Sequence, residues 1–386
     1  MNRVVVTGMG VIAPNATTVP RFRDALVAGT SGIGPITLFD PATLPTRIAA
    51  EVKWIGDIDR DRKVTFALAA AQQALEDSGR PDGEGGLSLG LGLELFSMED
   101  ACSNRRMTMK DQALRRITQT KALTAPPIAH VSACAAGTDA IGCAFQMIRS
   151  GRRRWMLAGG TDSMINPLGI AGFCSIGATS TQNDDPPRAS RPFDRRRSGF
   201  VLGEGAGILL LERLDDATAR GAAIHAEICG YGTSFDAHGI SEPHPDGRGA
   251  LQAMARALRD AKVNPEDIDA INAHGTSTPK NDPVETLAIK RLFGDRARKI
   301  PVSATKSMIG HLISAAGAVE AIAAIACMNA GIVHPTMNLD EPDPLCDLDY
   351  VPHIARDHRQ QYVLSSSFAF GGQNAALVMR SGRTST

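Results

Sequence analysis

The sequence carries no net charge: 41 basic and 41 acidic residues cancel. A chain so balanced is not built to attract nucleic acid or an anionic membrane surface. It also lacks a cysteine framework. Its seven cysteines are scattered, odd in number and without the paired spacing of a metal site. That pattern fits a reduced, cytoplasmic compartment better than a disulfide scaffold. No signal peptide precedes the first strand-like run, residues 3–11. No segment reads as a bilayer span; the best candidate, residues 316–333, is interrupted by Glu320 and Asn329. What remains is ordinary for a folded protein. The 386 residues are 43% hydrophobic and 21% charged, enough for a large core and, by length, for two domains. Arginine clusters at Arg152–Arg154 and Arg195–Arg197 read first as solvated surface.

Strand-like apolar runs alternate with helical patterns along the first half, which predicts an α/β fold. The second half repeats the first in order. HAEICGYGTSFDA (225–237) takes the part of the opening strand, and GALQAMARALRDAKV (249–263) that of the first long helix. Both halves contain a Val-Ser-Ala strand end entering a small-residue helix, at 131–133 and 302–304. Both close on a glycine-rich hydrophobic strand. Several self-similarities in one order predict a duplicated unit, with halves at 1–224 and 225–386. Two copies do not make a solenoid. The opening Thr-Gly-Met-Gly does not complete a dinucleotide fingerprint, and no acidic ribose partner follows at the expected distance.

Cys134 is the most informative residue. It follows a small apolar run and precedes a helical pattern that places Ile141, Phe145 and Ile148 on one face. At a strand-to-helix junction a thiol meets the positive end of the helix dipole, which favours the nucleophilic thiolate. The free N–H groups of the first turn suit a developing oxyanion. The alternative is a packed, inert thiol, and this window alone leaves both open. Three later segments bear on the choice. His274 sits at a strand end, Lys306 and His311 flank a glycine-containing turn ahead of Glu320, and Phe368 and Phe370 lead into a Gly-Gly turn. Taken singly these read as a core histidine, an ion pair and core aromatics.

Taken together, they resemble a family. Ala-Cys-Ala-Ala-Gly at 133–137, Asn-Ala-His-Gly-Thr-Ser-Thr-Pro at 272–279, the Lys306/His311/Glu320 segment and Phe-Ala-Phe-Gly-Gly-Gln-Asn at 368–374 are similar to the signature set of β-ketoacyl-acyl-carrier-protein synthases. The resemblance runs from residue 3 to about residue 380. It implies a thiolase-like, five-layered αβαβα fold from two pseudo-duplicated halves. It also implies a dimer, either homodimeric or paired with a chain-length-factor homologue. The implied reaction joins a Cys-bound acyl group to malonyl-acyl carrier protein with loss of carbon dioxide. In this reading Cys134 is the acyl acceptor. His274 and His311 stabilise the enolate, Lys306 supports them and is oriented by Glu320. Phe370 gates the acyl pocket and shares the oxyanion hole with Cys134. Thr276 and Thr278 hold the phosphopantetheine arm, while Leu93, Phe368 and Gly371 lie along the substrate. No metal and no resident cofactor are implied, since phosphopantetheine arrives on the carrier protein. Arg60, Arg62 and Lys63, at a helix start, form the candidate carrier-docking patch.

The chain departs from the family pattern in four places. The stretch from Gly92 to Cys134 is shorter than in the housekeeping synthases. GLGLEL (90–95) places Leu93 and Glu94 beside the acyl pocket, Ala369 replaces a glycine in the gating loop, and Gln182 stands where relatives carry a basic residue. These departures point to a dedicated type II polyketide or aryl-polyene ketosynthase, with a housekeeping fatty-acid synthase II homodimer as the alternative. A non-catalytic chain-length factor is disfavoured because Cys134, His274, Lys306 and His311 are all present. A thiolase lacks the two-histidine set, and an initiating Cys-His-Asn enzyme lacks His311.

Overall fold

The structure is a computed structural model describing residues 1–53, 61–92, 112–121 and 123–382. Ten strands share one hydrogen-bonded order, and that order reads the same from its centre outward in both directions. At the centre Val4–Ile12 pairs antiparallel with Ala226–Phe235 over three residues only. On the first side follow Gly205–Arg213 and Trp155–Asp162, both antiparallel, then Gly85–Leu91 and Ile128–His130, both parallel. On the second side Gln373–Ser381 and Tyr362–Phe368 are antiparallel, and Ala270–Asn272 and Val302–Ser303 are parallel. Two five-stranded mixed sheets thus repeat one topology, joined by a narrow seam.

Helices sort into layers by how much of their circumference is apolar. Arg62–Asp77, started by Asp61 accepting the Lys63 N–H, lays one buried face on Val4–Ile12 and Gly205–Arg213. Arg248–Ala261 covers Ala226–Phe235 and Gln373–Ser381 on the opposite outside. Between the sheets lie Ala136–Arg149 and Ala316–Ala330, each touching strands of both halves. Every residue from Ala316 to Met328 is buried, so this helix is apolar all round. Residues Ile313–Ala330 do satisfy the length and hydropathy of a membrane span, contrary to the sequence expectation. Their apolarity is explained by two sheets packing on them. The resulting order of helix, sheet, helix pair, sheet, helix is the α/β thiolase-like arrangement.

The layers approach closely, and glycines permit it. A Cβ on Gly8 or Gly10 would lie within about 2 Å of the carbonyl oxygens of Ala74 or Ala70. Thr-Gly-Met-Gly is therefore a strand pressed onto a helix backbone, not a nucleotide loop. In the central layer, a Cβ on Gly137 would come within 2.9 Å of the Ser314 carbonyl oxygen, and one on Gly317 within 2.0 Å of Thr138 Oγ1. The two central helices cross there, backbone on backbone at Gly137 and with only a small hydroxyl side chain between them at Gly317.

Candidate active site

Both central helices begin with a single 3-10 turn, Ala133–Ala135 and Ile313–Ala315. This places Cys134 and His311 at the same level between the sheets, 3.1 Å apart from Sγ to Nε2. Cys134 is 3% exposed and lines a cavity of about 180 Å³. His274, His311, Phe200, Phe370, Thr276 and Thr278 are among the lining residues.

The two imidazoles face each other edge to face, with centroids 5.3 Å apart at 83°. What contacts their other nitrogens decides which one carries the proton. Nδ1 of His311 accepts the N–H of Ile313 at 3.2 Å. Nδ1 of His274 lies 3.3 Å from Nζ of Lys306, which has protons to give. Both rings therefore hold their proton on Nε2. Burial first, then the positive charge of Lys306, pushes both histidines well below the ordinary imidazole range. They are neutral N–H donors.

Lys306 is fixed from three sides. It donates to the His274 carbonyl oxygen at 2.6 Å and to Oε1 of Glu320, as well as facing the ring. Burial pushes Glu320 up, to about 7, against the pull of Lys306. The loop carrying His274 is tied down from beneath. Glu285 accepts the N–H groups of His274 and Gly275 at 2.7 and 2.8 Å, and Asp282 accepts that of Thr276 at 3.1 Å. Sequence reasoning missed both acids. Their signal was the Asn-Asp-Pro that opens the helix Asn281–Phe293, directly after the histidine motif. Phe368 packs edge-on against His274 with centroids 5.7 Å apart. Thr276 and Thr278 share a hydroxyl hydrogen bond of 2.9 Å near the cavity mouth.

The thiol departs from expectation. Burial pushes Cys134 up to about 11. The N–H groups of Phe370 and of Cys134 itself, and the Lys306 charge, pull it back only in part. Desolvation outweighs the helix end because Cys134 is buried in an apolar cluster with Met164, Ile165, Phe200 and Ile313. The resting group is a thiol, and the thiolate forms transiently against the N–H groups of Phe370 and Cys134 and the Nε2–H of His311.

Two of the candidate docking residues, Arg62 and Lys63, are not free at the surface. Arg62 turns inward to Glu204 and to the Val52 carbonyl oxygen, and Lys63 is buried against Asp61. A buried carboxylate at Glu204 draws Arg62 off the surface, a partner that position in the helix alone does not reveal. Arg60 and Leu93, with Glu94, lie outside the described residues. Gly371 takes φ of +85°, and its N–H donates to the Ile240 carbonyl at 2.6 Å, so it ties the Gly-Gly turn to the loop carrying Ile240. Among the described residues no cluster of His, Cys, Asp and Glu is arranged to hold a metal.

A cysteine at the start of one central helix and paired neutral histidines from the other half define a thiolase-fold condensing site. The comparisons agree. Residues 1–217 match the N-terminal domain of beta-ketoacyl synthase and residues 225–340 its C-terminal domain. The chain belongs to the beta-ketoacyl synthase family and is an acyl-transferring condensing enzyme. It is 42% identical to 3-oxoacyl-acyl-carrier-protein synthase 2 of Coxiella burnetii and 44% identical to that of Synechocystis, covering 98% of each chain. Those alignments run over 405 and 410 positions, more than the 386 residues of this chain. Among solved structures, a beta-ketoacyl synthase from Burkholderia phymatum superposes with a TM-score of 0.91 at 36% identity, covering 99% of this chain and all of that one. A type II polyketide ketosynthase solved with its acyl carrier protein and a hexaketide gives 0.90 at 32%, covering 98% of this chain and 99% of that one. The ishigamide ketosynthase/chain length factor gives 0.85 at 35%, covering 99% of this chain and all of that one.

Proposed function

We propose that this enzyme extends an acyl chain by two carbons through decarboxylative Claisen condensation with a malonyl thioester. The observation that carries the reading is the pair of buried neutral imidazoles lining one cavity with Cys134, the Nε2 of His311 lying 3.1 Å from its sulfur. First, Sγ attacks the carbonyl carbon of an acyl-carrier thioester. The new C–Sγ bond replaces the C–S bond to the phosphopantetheine arm, which leaves as a thiol. The malonyl thioester then enters with its carbonyl oxygen on the two histidines. Its C–C bond breaks, carbon dioxide departs, and the enolate oxygen takes both N–H bonds. Neutral imidazoles suit this task, since they donate hydrogen bonds without protonating the enolate. The carbon nucleophile attacks the Cys134 acyl carbonyl, whose oxygen collects charge against the N–H groups of Cys134 and Phe370. Collapse expels the sulfur as a thiolate and yields the 3-oxoacyl thioester, and a proton from solvent restores the resting thiol. Lys306 and Glu320 position His274 and take no proton in these steps. The hydroxyls of Thr276 and Thr278, which line the cavity, hold the phosphopantetheine arm in this reading, and no resident cofactor is invoked.

The acyl carrier protein is the proposed partner, in a reduced cytoplasmic setting, with the enzyme acting as a dimer. Two pathway assignments each have an observation behind them. The higher identity to 3-oxoacyl-acyl-carrier-protein synthase 2 favours a fatty-acid synthase II homodimer. The chain's shortness against those relatives, with its fold likeness to ketosynthases of polyketide systems, favours a type II polyketide or aryl-polyene enzyme with a chain-length-factor partner. Native purification followed by mass measurement of the complex separates them. A homodimer elongating saturated acyl carriers supports the first, and a heterodimer with a homologue lacking the cysteine supports the second. The condensation itself is tested by Cys134→Ala, which should accept no acyl group; acyl transfer to that variant would overturn it.

A further inference from the structure

The second half enters its central helix by the same turn as the first. Ile313 has φ of +45° where Ala133 has +47°. Each opens a single 3-10 turn that leads into the helix. Ser314 therefore stands where Cys134 stands. A β-branched residue at positive φ is strained by about 1–3 kcal/mol and persists only when its surroundings fix it.

The two turns differ in where the next N–H goes. At Cys134 it faces the sulfur and the cavity. At Ser314 it donates to Oδ2 of Asp162 at 3.0 Å, a carboxylate from the end of the strand Trp155–Asp162 in the other half. Asp162 is 1% exposed, and the N–H of Ser163 also faces it. The Ser314 hydroxyl lies beside it without completing a geometrically sound bond. Burial raises Asp162 to about 6, against the charge of nearby Lys63. An acid so enclosed is costly to keep, and no step of the condensation uses it.

Ile313 joins two peptide planes. One carries the Ser314 N–H that Asp162 holds, and the other carries the Ile313 N–H that sits on Nδ1 of His311. We propose that Asp162 is a positioning residue for His311, locking the strained Ile313 turn so that the imidazole keeps its proton on Nε2 and aims it at the reacting thioester. The role rests on the reading of His311 as an enolate donor.

The test pairs Asp162→Ala with Asp162→Asn, which keeps an acceptor oxygen for the Ser314 N–H. Three readouts are taken: Cys134 acylation, malonyl-carrier decarboxylation, and the ring nitrogen-15 signals of His311. The alanine variant should lose roughly tenfold to a hundredfold in decarboxylation. It should also show His311 signals moved toward a mixture of tautomers while acylation falls much less. The asparagine variant should recover most of both. Unchanged His311 signals in Asp162→Ala, or equal losses in all three readouts, would overturn the role. If the alanine variant does not fold, Gly92→Ala provides the displacement instead, since its methyl would lie 2.3 Å from Oδ2. His311→Ala in the same assay separates the two ideas. Decarboxylation that survives that change removes the reading of His311, whereas decarboxylation lost there but intact in both other variants removes only the positioning.

Discussion

The turn at Cys134 and the turn at Ser314 share a backbone and divide the chemistry. In the first half the residue after the strained position is a thiol opening on a cavity. In the second it is a buried serine, its N–H closed off by Asp162. The histidine of the second half that touches the Cys134 sulfur lies three residues earlier, at His311. The difference teaches that duplication supplied a scaffold with two equivalent helix entries. The reaction needed only one to be open. The closed entry holds the donor that the open one uses.

The sharpest break of this comparison is Cys134→Ala. Acyl-enzyme formation should fall to nothing by mass spectrometry while malonyl decarboxylation persists, because His274 and His311 remain. Next comes the histidine pair. Replacing either by alanine should lower decarboxylation by about 10²–10³-fold, the usual worth of one such donor, with Cys134 still acylated. Lys306→Met removes the cation from beneath His274 and leaves Glu320 buried alone. Chemical denaturation should show a loss of about 3–5 kcal/mol, the cost of a buried unpartnered charge. Glu320→Gln added to it should recover part of that loss. The pH dependence is gentler. With its pKa raised to about 11, Cys134 is mostly thiol at neutrality. Its thiolate fraction grows as pH rises toward that value, so alkylation by iodoacetamide should climb about tenfold per pH unit and not level off below pH 9. A plateau near pH 7 would show instead that the helix end outweighs burial. The smallest expected effect is that of Ser314→Cys. A thiol in the closed turn should take up neither acyl group nor alkylating agent.

The residues that speak through local motifs were legible in the sequence. Cys134, His274, Lys306 and His311 each sit in a short segment whose glycines and hydroxyls mark a special turn, and the duplicated order of strands was visible as repeated patterns. Features that depend on what comes from the other half were not. The thiolate expectation weighed the helix end, which is local, and omitted the apolar side chains that desolvate the sulfur, which are not. Arg62 and Lys63 looked exposed at a helix start until Glu204 and Asp61 were seen to receive them. Asp162 lies 152 residues before Ser314 and gave no sign of its partner.

The crossing of the central helices at Gly137 and Gly317 has its own consequence. Where side chains fill the gap between helices, each change of side chain resets the spacing. Here the contact is made by main chain at Gly137 and by the small Thr138 and Ser367 hydroxyls at Gly317, so there is no room for a larger side chain to reset the separation of the nucleophile from its histidine. Descendants of such a chain are free to re-cut the acyl pocket for a different cargo without retuning the distance over which the carbon–carbon bond is made.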